Sequence, residues 1–74
     1  MPTLPTVSGR ETVKAFCGAG WEFARQKGSH MILVKRGHIA SLSVPDHKEL
    51  AKGTLRSLIR SSGLTVEEFV GLLD

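Results

Sequence analysis

The 74 residues allow one domain with a modest core and exclude a second within this length, and 41% apolar with 23% charged residues is the balance of a folding globule rather than a disordered chain. No apolar run nears the roughly 20 residues that cross a bilayer, and the opening residues lack the basic start and apolar stretch of a signal peptide, so a cytoplasmic location is expected. The net charge of +3 is unevenly spread: Phe23 to Arg60 holds Arg25, Lys27, Lys35, Arg36, Lys48, Lys52, Arg56 and Arg60 against only Asp46 and Glu49, whereas Leu64 to Asp74 holds acids alone.

Pro2 and Pro5 remove backbone donors and fix φ, which makes residues 1–7 an extended, partly loose arm. Ser8 and Glu11 have capping-box spacing, and Val13, Phe16 and Cys17 follow at helical spacing, so a first helix is expected to run to about Ala19 and stop at Gly20. Cys17, the single cysteine, is placed on the buried side of that helix. Trp21 to Lys27 alternates as a strand with Trp21, Phe23, Arg25 and Lys27 on one side. Gly28-Ser29 turns the chain into His30 to Arg36, the most apolar run and hence the central strand. Within it His30, Ile32 and Val34 share one face and Met31, Leu33 and Lys35 the other, and the pattern does not say which is buried.

Arg36-Gly37 is the next turn, and His38 to Val44 alternates as a third strand ended by Pro45; the short connections imply an antiparallel meander. After a polar loop bearing His47, Thr54 is the expected cap of a helix with Leu55, Leu58 and Ile59 on its apolar side and Arg56 and Arg60 on its outer side. Gly63 stops it, and Thr65 with Glu68 is a second capping box for a last helix carrying Val66, Phe69, Val70 and Leu73. The expected class is therefore α+β, in the order α-β-β-β-α-α, with the helices on one face of a three-stranded antiparallel sheet. Double-stranded-RNA-binding domains share the α-β-β-β-α order.

Metal chemistry has little to draw on, because the chain has no His-x-x-x-His, no cysteine pair and no acidic cluster; no metal or cofactor is expected. No Gly-x-Ser-x-Gly context surrounds any serine. A histidine among cations is what remains. RNA carries its own nucleophile in the ribose 2′-hydroxyl, so cleavage requires a base, an acid and cations near the phosphate, and imidazole, with an unperturbed pKa of about 6.5, can serve both proton transfers. His30 is the leading candidate, at the start of the central strand beside the Gly-Ser turn and close to Lys27. The plainer alternative is a strand-edge histidine that hydrogen-bonds a neighbour. Lys27, Ser29, Lys35, Arg36, His47, Lys52, Arg56 and Arg60 are the candidate RNA-binding residues, with a merely solvated basic face as their alternative.

The runs Arg25-Gln26-Lys27-Gly28-Ser29-His30-Met31-Ile32-Leu33, Val44-Pro45-Asp46-His47, Lys52-Gly53-Thr54-Leu55-Arg56-Ser57-Leu58-Ile59-Arg60 and Gly63-Leu64-Thr65-Val66-Glu67-Glu68-Phe69 together resemble the HicA toxin family. Leu4-Pro5, Ser8-Gly9-Arg10-Glu11 and Gly20-Trp21-Glu22 are similar to that family as well, so the resemblance spans nearly the whole of residues 1–74 as one domain. It implies a double-stranded-RNA-binding-domain-like fold and a toxin that cleaves mRNA without the ribosome, held inactive by a HicB antitoxin. It also implies that His30 is the catalytic histidine and that His47 matches a second recurrent histidine. Many relatives have a second His or another polar residue where Met31 stands here.

Three rival readings use the same residues. A non-catalytic RNA-binding module would keep the basic face and make His30 a sheet residue. A DNA-binding helix-turn-helix over Thr54 to Leu73 would need its second helix in the major groove, yet that helix bears Glu67 and Glu68 and no cation. A purely structural interaction domain would use the open sheet face for a protein partner.

Overall fold

The computed structural model describes residues 3–73. Two capping boxes set where its outer helices begin. The Glu11 amide donates to Ser8 Oγ at 3.0 Å while the Ser8 amide donates to Glu11 Oε1 at 2.9 Å, which starts α1 (Gly9–Gly18). Thr65 and Glu68 exchange the equivalent bonds, at 3.0 and 2.9 Å, and start α3 (Val66–Gly71). Between them lie β1 (Glu22–Lys27), β2 (His30–Val34), β3 (Leu42–Pro45) and α2 (Lys52–Ser62). The order is α-β-β-β-α-α, and the strands form one antiparallel sheet in the sequence β1-β2-β3.

The sheet has one covered face. Met31, Leu33, Leu42 and Val44 are buried and pack with Ala15 and Phe16 of α1, Leu55, Leu58 and Ile59 of α2 and Phe69 of α3. Phe16 and Phe69 meet with ring centroids 5.2 Å apart and planes at 51°, a tilted contact that ties the first helix to the last. The ambiguity over β2 is thereby resolved: Met31 and Leu33 face the helices, and His30, Ile32 and Val34 belong to the uncovered face.

Five expectations are corrected. The arm is not loose over its described part: Leu4 and Val7 are buried, the Leu50 amide donates to the Val7 carbonyl at 2.8 Å, and Lys52 Nζ donates to the Leu4 carbonyl at 2.8 Å. Pro2 lies outside the described residues. Cys17 is exposed, because the buried stripe of α1 runs through Gly9, Thr12, Ala15 and Phe16, and at ~100° per residue Cys17 falls well outside it. The small residue Gly9 opens this stripe where the helix lies close on the end of β3.

The regular alternation in the first strand also fails. Phe23 pairs with Leu33 but Arg25 pairs with Ile32, so Ala24 is an extra residue in a bulge, and Arg25 and Lys27 sit on the face opposite Phe23. The third strand begins at Leu42 rather than His38, because pairing with β2 ends at Leu33↔Leu42; residues 35–41 instead turn at Gly37, whose φ is +80°, and leave Ile39 fully exposed. Finally, α2 starts at Lys52 with Ala51 as its cap and no side-chain bond, so Thr54 lies inside the first turn. Burial of Leu50 and the Lys52 contact to the arm bring the helix start forward. Its end is as expected, with Gly63 in the left-handed region at φ +83°.

The closest backbone approach joins α1 to the end of β3. The Gly9 amide donates to the His47 carbonyl at 2.9 Å, and a Cβ at Gly9 would fall on the Pro45 carbonyl oxygen and 3.2 Å from Met31 Cε. The obstructing atoms are mainly backbone, which cannot swing aside. Gly9→Ala should therefore destabilise the protein by about 1–3 kcal/mol, read as a lower urea midpoint; an unchanged midpoint would show that the helix can back away freely. Cys17 should be alkylated by a maleimide in the native protein as fast as in the unfolded chain. Labelling that waits for denaturant would place the thiol in the core.

Candidate functional site

The uncovered sheet face is built from cross-strand rows, since directly opposed residues in an antiparallel pair share a face. Lys27, His30 and Pro45 form one row across the three strands. Arg25, Ile32 and Ser43 form the next, ~6.6 Å along the strands. Glu22 and Val34 close the face at its far end. His30, Lys27, Arg25 and Ser43 are exposed and Ile32 is half-buried, so the imidazole stands on an open surface flanked by Lys27 on the neighbouring strand.

The backbone around His30 is fixed from three sides. Gly28 takes a positive φ of 59° in the β1–β2 turn, and its carbonyl accepts from Gln26 Nε2 at 3.1 Å. The Asp46 amide donates to the Ser29 carbonyl at 2.7 Å, joining that turn to the loop after β3. The same loop is tied to α1 through the Gly9–His47 bond. Arg10 Nε and Asp46 Oδ1 lie 3.4 Å apart, but Arg10 is 81% exposed, so this ion pair adds little stability. Ser29 and His47 thus flank the Lys27–His30 row, with the His47 side chain exposed.

The structure brings Lys27, Ser29, His30 and His47 to one end of the sheet and separates the other candidates from them. Lys35 and Arg36 follow the opposite end of β2, roughly 17 Å from His30 at ~3.3 Å per residue. Lys35 is half-buried, with Nζ 6.0 Å from the centroid of the Trp21 ring, and His38 packs on the same indole at 4.9 Å. Lys52 is engaged by the arm, donating also to Thr6 Oγ1 at 3.3 Å. Arg56 and Arg60 are exposed on the side of α2 opposite Leu55, Leu58, Ile59 and Ser62, and therefore turn away from the sheet.

Arg25 is not among the candidate binding residues, and strict alternation sets it on the side of Phe23, whereas the bulge brings it to the face of His30. The sole available signal is a small residue, Ala24, inside an otherwise bulky strand. A hollow of about 450 Å³ between the arm, α1 and the end of α3, lined by Pro5, Val7, Ala15, Val70 and Leu72 among others, contains none of the candidate residues. Among the described residues no three His, Cys, Asp or Glu side chains gather as a potential metal-binding group.

Among curated protein sequences none matches the chain significantly. In solved structures the chain is similar to one from a toxin–antitoxin complex from Streptococcus pneumoniae, with 34% identity and a TM-score of 0.71 over 78% of this chain and 98% of that one. The model of the family described as HicA toxin of bacterial toxin–antitoxin matches residues 9–64, from the glycine that opens α1 to the residue after the α2 stop. That span covers well over half of the sequence and contains every element except α3, and the chain therefore belongs to the HicA toxin family.

Proposed function

We propose that the protein is a cytoplasmic endoribonuclease toxin that cuts mRNA without a metal ion or other cofactor, with His30 as its catalytic group and a HicB-type antitoxin as its inhibitor. Family membership supports the toxin reading. The observation that carries the chemistry is the placement of His30, exposed at the rigid start of the central strand and directly opposite Lys27. The similar chain from a toxin–antitoxin complex supports an antitoxin as partner.

In this mechanism the His30 imidazole takes the proton of a ribose 2′-hydroxyl. The freed oxygen attacks the adjacent phosphorus, and the bond to the 5′-oxygen of the next nucleotide breaks. The imidazolium returns a proton to that leaving oxygen. Lys27 holds the phosphate and stabilises the charge that develops on its non-bridging oxygens. Ser29, in the turn beside it, offers a hydroxyl as a further RNA contact. Charge stabilisation of this kind and general acid–base catalysis are each worth roughly 100-fold or more.

His30→Ala should abolish cleavage of a long single-stranded RNA in the presence of chelator, while the circular dichroism spectrum and the urea midpoint stay close to those of the parent protein. Collapse of the fold in that variant, or full activity, would remove His30 from the mechanism. The products should carry a 2′,3′-cyclic phosphate. A 5′-phosphate on the downstream fragment would mean attack by water and a different reaction.

A non-catalytic RNA-binding module of double-stranded-RNA-binding-domain-like fold is the second reading, favoured by the shared α-β-β-β-α order. It requires RNA retention with no cutting by the parent protein under the same conditions.

A further inference from the structure

The bulge at Ala24 does more than interrupt a strand. Without the extra residue's displacement, regular pairing from Phe23↔Leu33 would set Ala24 against Ile32 and turn Arg25 toward the helices. Instead Arg25 lies opposite Ile32 on the uncovered face, one row from His30, and Lys27 lies opposite His30 itself. Two guanidinium and ammonium charges therefore share a single exposed surface with the imidazole.

The remaining residues of that face give it a direction. Ser43 and Pro45 of β3 bring no charge, Ile32 and the 42%-exposed Val34 form an apolar floor, and Glu22 places a negative charge at the far end. The cationic half is the half that contains His30. By contrast, Arg56 and Arg60 stand on the outer side of α2, across the helical layer, and Lys52 is occupied with the carbonyl of Leu4 and the hydroxyl of Thr6.

We propose that the uncovered sheet face is a single-stranded RNA track in which Arg25, set by the Ala24 bulge, binds the phosphate next to the one held by Lys27 at His30, and that the outer face of α2 takes no part. The RNA runs along the strand direction from the Lys27–His30 row to the Arg25–Ile32 row, ~6.6 Å away, and stops short of Glu22, which repels phosphates at the other end. Arg25 is a binding residue here, not a catalytic one. Ribose and base surfaces rest on Ile32, whose half-buried side chain offers an apolar contact on β2 directly opposite Arg25 and one row from His30.

This inference rests on the ribonuclease reading, and two assays separate their failures. Binding is measured with full-length His30→Gln protein and a fluorescein-labelled oligouridylate over a range of salt concentrations; cleavage is measured with the parent protein on a long RNA. Arg25→Gln should weaken binding about 3- to 10-fold and reduce the slope of log K against log salt by about 0.7, the release expected for one phosphate contact on a single strand. Arg56→Gln combined with Arg60→Gln should leave affinity and slope unchanged. All these positions are exposed, and circular dichroism confirms that each variant is folded.

If the parent protein cuts RNA while Arg25→Gln binds as tightly and with the same slope, the track is wrong and the nuclease reading stands. Loss of slope in the Arg56/Arg60 variant instead would move the RNA to the helical layer, and loss of antitoxin binding alone on Arg25→Gln would make the sheet face a protein interface; either overturns the proposal. A parent protein that neither binds nor cuts RNA overturns both readings.

Discussion

The contact on which the rest depends is the seating of the α1 N-terminus against the end of β3. Only a residue without a side chain fits at position 9, where a Cβ would meet the Pro45 carbonyl and Met31 Cε. That fit lets the Gly9 amide reach the His47 carbonyl, and the adjoining Asp46 amide then reaches Ser29. A helix start, a strand end and a hairpin turn are thereby joined by short backbone bonds within a few residues of His30. For a chain this small, whose core is a single layer of side chains between three helices and one sheet face, such bonds fix position at a site where little packing is available.

The second constraint is topological. With all three helices on one face, the sheet's other face has no neighbour, so every alternate residue of β2 is exposed or half-buried whatever its chemistry. A strand in that setting can carry a reactive group at one register position and core residues at the next. His30 and Met31 are adjacent in sequence yet one faces outward and the other lies 6% exposed beneath the helices. Supporting a functional side chain on a central strand rather than on a loop reduces its freedom, which is what proton transfer at a defined distance requires.

Much of this was legible in the residues. The two capping boxes and the stop at Gly63 each have a local physical cause and appear where it predicts, and the apolar run from His30 forms the central strand, which ends at Val34 rather than Arg36. What was not legible depends on contacts between distant segments. Thr12 and Ala15 are buried because α1 lies close on the sheet, and that displaces the buried stripe away from Cys17. Ala24 is bulged, with Leu33 and Ile32 taking Phe23 and Arg25 as partners, a choice that only the small side chain of Ala24 signals within β1. At the site, His30 and Lys27 could be paired from the two-residue turn between them, whereas the distance of Arg56 and Arg60 from that row follows from which side of α2 meets the core.

Under the proposed function, the exposure of His30 also bears on how the protein can be restrained. Nothing in the pairing of β2 offers a second register: a one-residue slip would carry Met31 and Leu33 out of the core and His30 and Ile32 into it. The site is therefore held in a single arrangement, and a switch between active and inactive folds would have to break the sheet. Under the proposed function, inhibition must come from outside, by a partner that covers the surface rather than one that distorts it. On that reading the open face proposed for RNA is equally accessible to a protein, and substrate and inhibitor would compete for one area. The charge that Arg25 and Lys27 place there would favour an inhibitor with acidic groups opposite them, since burying either cation without a partner would cost more than the contact returns.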